Sequence, residues 1–436
     1  MYRTLMEDLK KWKASERRKP LLLNGARQVG KTYLLKEFGR TEFSHTVFIN
    51  LDTEKSRYED IFSSSIKPAD IISKLELAIG EKITPNDTLI IFDEIQEVPA
   101  AIASLKYFCE DAPEYYVAAS GSLLGVALAD GVSFPVGKVD MLELSPLSFE
   151  EFLLATGNKR FLNVIKDQEN IELFKDKLEL LFRQYLIVGG MPEAVDSWAS
   201  RQDYSEVSRI QDGILLAYLN DISKHTDKNT AVRIHQVWNS LPSQFAKRNE
   251  KFMFGLIKDG ARAREYELAV QWLVDCHIVR KVSRIKTGDK LPLKAYMDEK
   301  AFKLYFLDIG LFRKMCGLNP ELILSNDSLF SEFGGYFAEQ FVLEQLGQKY
   351  DFYYWSSDAS AEVDFVAEIN NGVVPIEVKS GNNVKAKSLK VFRDNYQPKL
   401  SLRFSLKNIE YSEGLLNIPL YSSGFVDEIV EKYAKF

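Results

Sequence analysis

Cysteine is scarce in this chain of 436 residues: Cys109, Cys276 and Cys316 stand far apart and form no CxxC pair. That usage suits a reducing compartment and argues against a zinc site. Long apolar runs are missing as well. No stretch approaches the roughly 18 apolar residues of a membrane span, and residues 1–8, MYRTLMED, lack the apolar core of a secretion signal. No membrane partner and a cytoplasmic location are therefore expected. An excess of positive charge is absent too. The formal net charge is -6, so any nucleic-acid surface must be a local patch. There is no internal repeat and no low-complexity tract. With 46% hydrophobic and 27% charged residues, the composition is that of ordinary globular protein. The length exceeds what one core supports, so two to four domains are expected.

The most specific feature present is GARQVGKT, residues 25–32, a complete GxxxxGK[ST] phosphate loop. It follows the apolar run Pro20-Leu21-Leu22-Leu23 and precedes the helical stretch Tyr33-Leu34-Leu35-Lys36-Glu37-Phe38, which is the strand–loop–helix context the motif needs. Gly25 and Gly30 let the backbone turn its N–H groups inward as a nest for anionic oxygens, and the helix start adds its positive dipole end. Lys31 would reach the β- and γ-phosphates and Thr32 would bind Mg²⁺. The expected nucleotide contacts are Gly25, Ala26, Arg27, Gln28, Val29, Gly30, Lys31, Thr32 and Tyr33. Arg27 reads either as a phosphate contact or as a solvent-facing loop residue.

Thr88-Leu89-Ile90-Ile91-Phe92-Asp93-Glu94 reads as a central parallel strand ending in two carboxylates. Ligands bind such sheets at the carboxyl ends of strands. Asp93 would hold the Mg²⁺ shell, and Glu94 would orient or deprotonate the water attacking the γ-phosphate. Thr46 to Leu51 and Tyr115 to Ser122 fit the same sheet. Ser120 and Ser122 either sense the γ-phosphate or form a Gly/Ser turn. Residues 17–155 resemble prokaryotic AAA-type P-loop ATPases that carry a C-terminal domain of unknown function. The stretches that carry the resemblance are GARQVGKT, LIIFDEIQEVP, AASGSLLG, ELSPLSFEEFL and YLIVGGMPEAV. That family usually has a Gly-Arg pair before the strand leading into Pro-Leu-Ser-Phe; here it is Gly137-Lys138. Lysine keeps the charge but loses the bidentate fork.

Residues 161–225 read as mostly helical, broken at Gly189-Gly190-Met191-Pro192. The resemblance makes this a lid over the ATP site. Asp221 reads as a functional acid or as a surface helix charge. Residues 230–298 resemble a winged helix: helices from Ala231 to Lys247 and Arg262 to Cys276, then short strands Ile278 to Ile285 and Leu293 to Met297 around a basic tip, Lys286 to Lys290. Arg262, Arg264, Lys286 and Lys290 would contact phosphates if the module binds DNA. Glu265, Glu267 and Asp275 on the second helix suit a connector instead.

A second constellation lies in residues 361–379, AEVDFVAEINNGVVPIEVK. Alternating apolar residues flank Asn371-Gly372, a hairpin signal. With that turn, Asn370 pairs with Val373 and Asp364 lies opposite Lys379. Glu377 and Lys379 share a face, with Asp364 and Glu377 diagonal at roughly 7–8 Å. This D…ExK pattern resembles the PD-(D/E)xK restriction-endonuclease-like nucleases. The resemblance implies that Asp364 and Glu377 hold Mg²⁺, that Lys379 positions or activates a water, and that Glu339 on a preceding helix is a further ligand. Glu339 reads equally as a capping or salt-bridged acid. From Lys379 to Lys407 the basic residues Lys379, Lys385, Lys387, Lys390, Arg393, Lys399, Arg403 and Lys407 face a single acid, Asp394. Such a patch suits a polyphosphate backbone such as DNA.

The expected fold is α/β: a P-loop NTPase parallel sheet (1–160), a helical lid (161–225), a winged helix (226–299) and a C-terminal α/β restriction-endonuclease-like domain (300–436). The expected activity is Mg²⁺-dependent ATP hydrolysis coupled to a nucleic-acid-directed, nuclease-type domain. The expected catalytic residues are Lys31, Glu94, Asp364, Glu377 and Lys379. A slow ATP switch that holds DNA or a protein without cutting it, and a scaffold with a degenerate nuclease fold, are the other readings. A homo-oligomer is compatible with each.

Overall fold

The computed structural model describes residues 1–122, 134–168, 170–246, 251–325, 328–357, 360–381 and 387–434. Two compact units emerge, residues 1–146 with 275–278, and residues 147–274 with 279–436.

The first unit holds five parallel strands: β1 (Leu21–Asn24), β2 (His45–Asn50), β3 (Thr88–Asp93), β4 (Tyr116–Ser120) and β5 (Asp140–Glu143). Their order is β2-β3-β4-β1-β5. All six residues of β3 are buried, which is why its sequence is a continuous apolar run and not an alternating one. Ile90 and Phe92 pack with Phe62, Ile71, Leu75, Leu105 and Phe108 from the flanking helices. Because β4 lies between β1 and β3, the carboxyl ends of all three strands meet at one edge of the sheet. The chain leaves β1 beneath the exit of β5. Gly25 has φ +141°, and a Cβ there would sit 2.2 Å from the Leu144 carbonyl oxygen. Only glycine passes.

The second unit opens on the helix Phe149–Ala155, whose Ser148 and Glu151 form a reciprocal capping box. Helices Arg160–Asp167, Lys175–Val188, Pro192–Arg201 and Tyr204–His225 follow. The expected break is present. Gly190 sits so close to residue 147 that a Cβ would lie 2.1 Å from the Leu147 carbonyl oxygen. Its N–H donates to Asp308 Oδ2 at 2.6 Å, and Asp308 Oδ1 accepts from Leu311 N–H at 2.8 Å, capping the helix Ile309–Met315. Burial pushes the Asp308 carboxyl up to about 6 against the pull of those N–H groups. Asp221 differs from the expected surface charge: it is buried and engaged.

The unit's sheet has eight strands in the order β12-β13-β11-β10-β9-β8-β6-β7. These are β6 (Val279–Ile285), β7 (Met297–Phe306), β8 (Phe352–Ser356), β9 (Glu362–Ile369), β10 (Gly372–Val378), β11 (Ser401–Ser405), β12 (Glu410–Ser412) and β13 (Leu415–Pro419). The expected wing strands are corrected here. Leu293–Tyr296 is a short 3₁₀ turn and not a strand. β7 runs through residue 300, where a boundary was expected. β6 pairs antiparallel with β7 and parallel with β8, so both strands belong to the larger sheet. The basic tip is not a free wing either: Gly288 packs against the Phe392 and Tyr396 rings of the helix Lys387–Tyr396. The physical reason is burial. Ile285 and Leu293 share one apolar cluster with Trp355, Val363 and Phe392. Lys247, at the end of the first expected wing helix, lies outside the described residues, as do Lys385 of the basic stretch and the Leu-Leu-Gly of AASGSLLG.

Gly190→Ala should destabilise this unit by about 3 kcal/mol, because the new methyl meets main chain, which cannot move aside. Gly213, on a helix face with open space around it, is the control: Gly213→Ala should be neutral or stabilising by up to ~1 kcal/mol. Thermal melting of the two variants checks the difference.

Candidate nucleotide site and carboxylate–lysine site

In the first unit the phosphate loop bridges β1 and the helix Lys31–Glu42, with Gly30 at φ +97° as its N-cap. Lys31 is 7% exposed and folds back on its own loop, donating to the carbonyls of Gly25 (2.9 Å) and Ala26 (2.7 Å). Burial lowers its ammonium pKa to about 8, although Glu94 and Asp93 pull it upward. Thr32 Oγ1 donates to Asp93 at 3.0–3.1 Å, and Ser120 Oγ donates to the same carboxylate. Thr32 and Asp93 thus put a hydroxyl and a nearly buried carboxylate, both hard oxygen donors, at one point. That donor set fits Mg²⁺ with retained waters. Glu94 adopts a left-handed backbone (φ 53°), and its Oε2 accepts from Gln96 Nε2 at 2.6 Å. Ser122 Oγ reaches the same oxygen at 3.4 Å. Both serines therefore turn to the carboxylates. Lys138 pairs with Glu110 at 2.8 Å, ahead of the amino end of β5. β5 is parallel to β1, with Asp140 beside Leu21, so Lys138 lies at the sheet edge opposite the phosphate loop. It does not face this chain's own phosphate loop. Arg27, whose charge is felt by Lys31, is the nearer cation.

In the second unit the hairpin register differs from expectation. Gly372 pairs with Ile369 and Ile376 with Phe365, so the turn is Asn370-Asn371, both left-handed at φ 50° and 59°. Asparagine tolerates that region almost as glycine does. The register is two residues off the expected one, so the faces are kept. Asp364 moves from opposite Lys379 to opposite Glu377, and its Oδ2 accepts the Val378 N–H at 2.7 Å. Lys379 Nζ donates to Glu377. Glu377 Oε2 is buried with no hydrogen-bond partner among the described residues. Tyr305 donates to Glu339 Oε2 at 2.8 Å, and Lys303 Nζ donates to Glu362.

These groups surround a cavity of about 330 Å³ lined by Lys303, Tyr305, Tyr336, Glu339, Glu362, Asp364, Lys379, Gln244 and Phe252, among others. Burial, with Asp364 nearby, lifts Glu339 to about 8 and Glu377 to about 7. Burial works against the charged form of Lys303, yet Glu339, Glu362 and Asp364 together raise its pKa. Among the described residues no three acidic, histidine or cysteine side chains converge to cage a metal. Glu339 is held by Tyr305, and Glu377 is not among the residues that line the cavity.

Residues 17–153 match the AAA domain family. This supports an AAA-type P-loop ATPase domain. Residues 179–322 and 334–422 match two families described only as domains of unknown function, DUF8612 and DUF4143. The uncharacterized proteins Rv2008c of Mycobacterium tuberculosis and Mb2031c of Mycobacterium bovis are each 23% identical over 378 residues, covering 84% of this chain and 71% of theirs. Among solved structures, the Walker-type ATPase PABY2304 of Pyrococcus abyssi aligns with TM-score 0.44 at 14% identity, covering 72% of this chain and 95% of its own. The Aeropyrum pernix ORC1 protein in complex with DNA aligns with TM-score 0.29 at 13% identity, covering 72% and 90%. Likeness at those scores carries no argument for this chain.

The AAA-domain residues expected from sequence come together: Lys31, Thr32, Asp93, Glu94 and Ser120 meet at the carboxyl ends of β1, β3 and β4. Tyr33 is half exposed on the first helical turn. In the second unit Asp364, Glu377, Lys379 and Glu339 do share one neighbourhood, joined by Lys303 and Glu362, which no motif marked. Gln96, within the quoted DEIQEVP, was also missed. Of the basic stretch, Arg403 is drawn inside beside Glu377, bonded to Asn417 at 2.9 Å, while Lys387, Lys390 and Lys399 are exposed. Among the described residues no helix is long and apolar enough to cross a membrane.

The lowered Lys31 pKa has a measurable outcome. Below about 8 the free site already carries the ammonium; above it, binding phosphate must first recover the proton. ATP affinity should be flat below pH 7 and should fall as pH rises through 8 to 9, with a limiting slope of about tenfold per unit. Calorimetry in buffers of different ionisation heat should register proton uptake at pH 9 and little at pH 6.5.

Proposed function

We propose that this protein is a Mg²⁺-dependent ATPase whose nucleotide state governs a nucleic-acid-directed site in its second unit. The observation that carries the first half is the meeting of Lys31, Thr32, Asp93, Ser120 and Glu94 at one sheet edge. In this reading the loop amides and Lys31 grip the polyphosphate, and Thr32 and Asp93 hold the metal. Glu94, oriented by Gln96, takes the proton of the attacking water. The helices of residues 161–225 would respond to nucleotide as a lid. Lys31→Ala should abolish ATP binding. Glu94→Gln should keep binding within a fewfold while lowering turnover by about 10²–10⁴. Normal hydrolysis by Glu94→Gln would overturn the assignment of the base.

The second half rests on the cavity. Asp364 and the unpartnered Glu377 Oε2 would hold a divalent cation, Lys379 would orient a water, and exposed Lys387, Lys390 and Lys399 would track a phosphate backbone. A second reading, a slow ATP switch that binds nucleic acid or a protein without cutting, gains from two observations: Lys138 is turned to Glu110, and no three-ligand cage exists among the described residues. A plasmid and oligonucleotide cleavage assay with Mg²⁺ or Mn²⁺, with and without ATP, separates them. Cutting that disappears in Asp364→Ala and Lys379→Ala supports the nuclease; salt-sensitive binding without cutting supports the switch.

A further inference from the structure

A phosphate loop works because N–H groups point inward, and the carbonyl in the same peptide unit as an inward N–H must point away from the anion. A buried outward carbonyl needs a donor. Val29 is fully buried in the loop, and its carbonyl accepts from Arg3 Nη1 at 2.7 Å. The second arm of the same guanidinium, Arg3 Nη2, donates to the Ser145 carbonyl at 2.5 Å, two residues past the end of β5. Arg3 is itself 5% exposed.

The carbonyl of Val29 and the N–H of Gly30 belong to one planar trans peptide and point in opposite directions. Holding the oxygen outward therefore holds the Gly30 N–H inward, immediately before Lys31. A guanidinium suits this task because it stays charged and offers two donors in a rigid fork. Its own position is fixed. The following helix, Met6–Ala14, buries Leu9 and Trp12, and the Trp12 ring meets Phe38 of the loop's own helix at 6.2 Å. Trp12 Nε1 also donates to the Lys19 carbonyl at 2.8 Å, just ahead of β1. Arg3 and this helix lie outside the segment that matches the AAA domain family, residues 17–153.

We propose that Arg3 is a positioning residue of the nucleotide site: it locks the Val29–Gly30 peptide in the anion-binding orientation by bracing the loop against the exit of β5. The proposal rests on the ATP-binding reading above. The test titrates a fluorescent ATP analogue with Mg²⁺ into wild type, Arg3→Ala and Arg3→Lys, with adenosine as competitor and thermal melting as the check on folding. Arg3→Ala should weaken ATP binding about ten- to a hundredfold, the range for hydrogen bonds from a charged donor, and leave adenosine affinity unchanged. Millimolar methylguanidinium should restore part of the loss. Arg3→Lys, which keeps the charge but not the fork, should fall between, and it decides the matter if Arg3→Ala does not fold. Wild-type ATP affinity in a folded variant, or equal losses for ATP and adenosine, overturns the proposal alone. Absence of ATP uptake by the wild type overturns the ATP-binding reading with it.

Discussion

A buried ammonium is the constraint around which both units are built. Removing a charged amine from water costs several kcal/mol unless its surroundings replace the lost hydration. In the first unit Lys31 meets this cost with two carbonyls of its own loop and the field of Asp93 and Glu94. The loop must therefore curl tightly enough for its carbonyls to reach back to Nζ. That curl is what glycine at position 25, pressed on the Leu144 carbonyl, and glycine at position 30, in a left-handed turn, permit. The same geometry leaves the amides free for an anion. The residue that would bind phosphate and the backbone that would bind it are thus shaped by one requirement.

The second unit answers the requirement differently. Lys303 and Lys379 enter its cavity from β7 and from the end of β10, and carboxylates satisfy them where the first unit uses carbonyls. Because burial disfavours their charged forms and Asp364 stands nearby, Glu339 and Glu377 hold their protons to higher pH than free carboxyls do. The polar groups of Gln340 and Asp308 then tie the surrounding frame together. Gln340 bonds both main-chain groups of Phe306, while Asp308 joins the Gly190 turn to the helix Ile309–Met315. The GGMP stretch keeps its glycines because main chain from residue 147 and the Asp308 carboxylate occupy the space a side chain would need.

What was legible in the sequence follows from range. The phosphate loop and the β3 carboxylates could be read because each lies within a few residues and obeys a strict local geometry. The parallel strands could be read because burial on both faces leaves an unbroken apolar run. The error at residues 278–297 was one of distance. β6 finds its parallel partner β8 about seventy residues later, and no local pattern announces such a pairing. The hairpin error was one of ambiguity: in Asn370-Asn371-Gly372 two adjacent pairs can both adopt the left-handed turn. The displacement by two residues left Asp364, Glu377 and Lys379 on one face because strand side chains alternate with period two. Lys303 and Glu362 sit in strands without a motif, and Arg3 precedes the loop by more than twenty residues. Their roles exist only in three dimensions.

The two sites differ in how their charge is balanced. Around the phosphate loop, main-chain donors, Lys31 and Arg27 gather positive potential for a polyanion. Around the cavity of the second unit, the carboxyls of Glu339, Glu362 and Asp364, with Glu377 close by, stand against Lys303, Lys379 and the neighbouring Arg403. Two of those carboxyls, Glu339 and Glu377, hold their protons to higher pH than free acids do, so the charge that meets an approaching phosphodiester near neutral pH is close to balanced. Under the nuclease reading a divalent cation would displace those protons beside Asp364 and leave the cavity positive toward a phosphate. Under the switch reading the protons stay. A nucleic acid would then stay on the exposed Lys387, Lys390 and Lys399 without reaching Asp364. Whether a proton or a metal sits on Glu339 and Glu377 thus decides how the cavity presents itself to a phosphate.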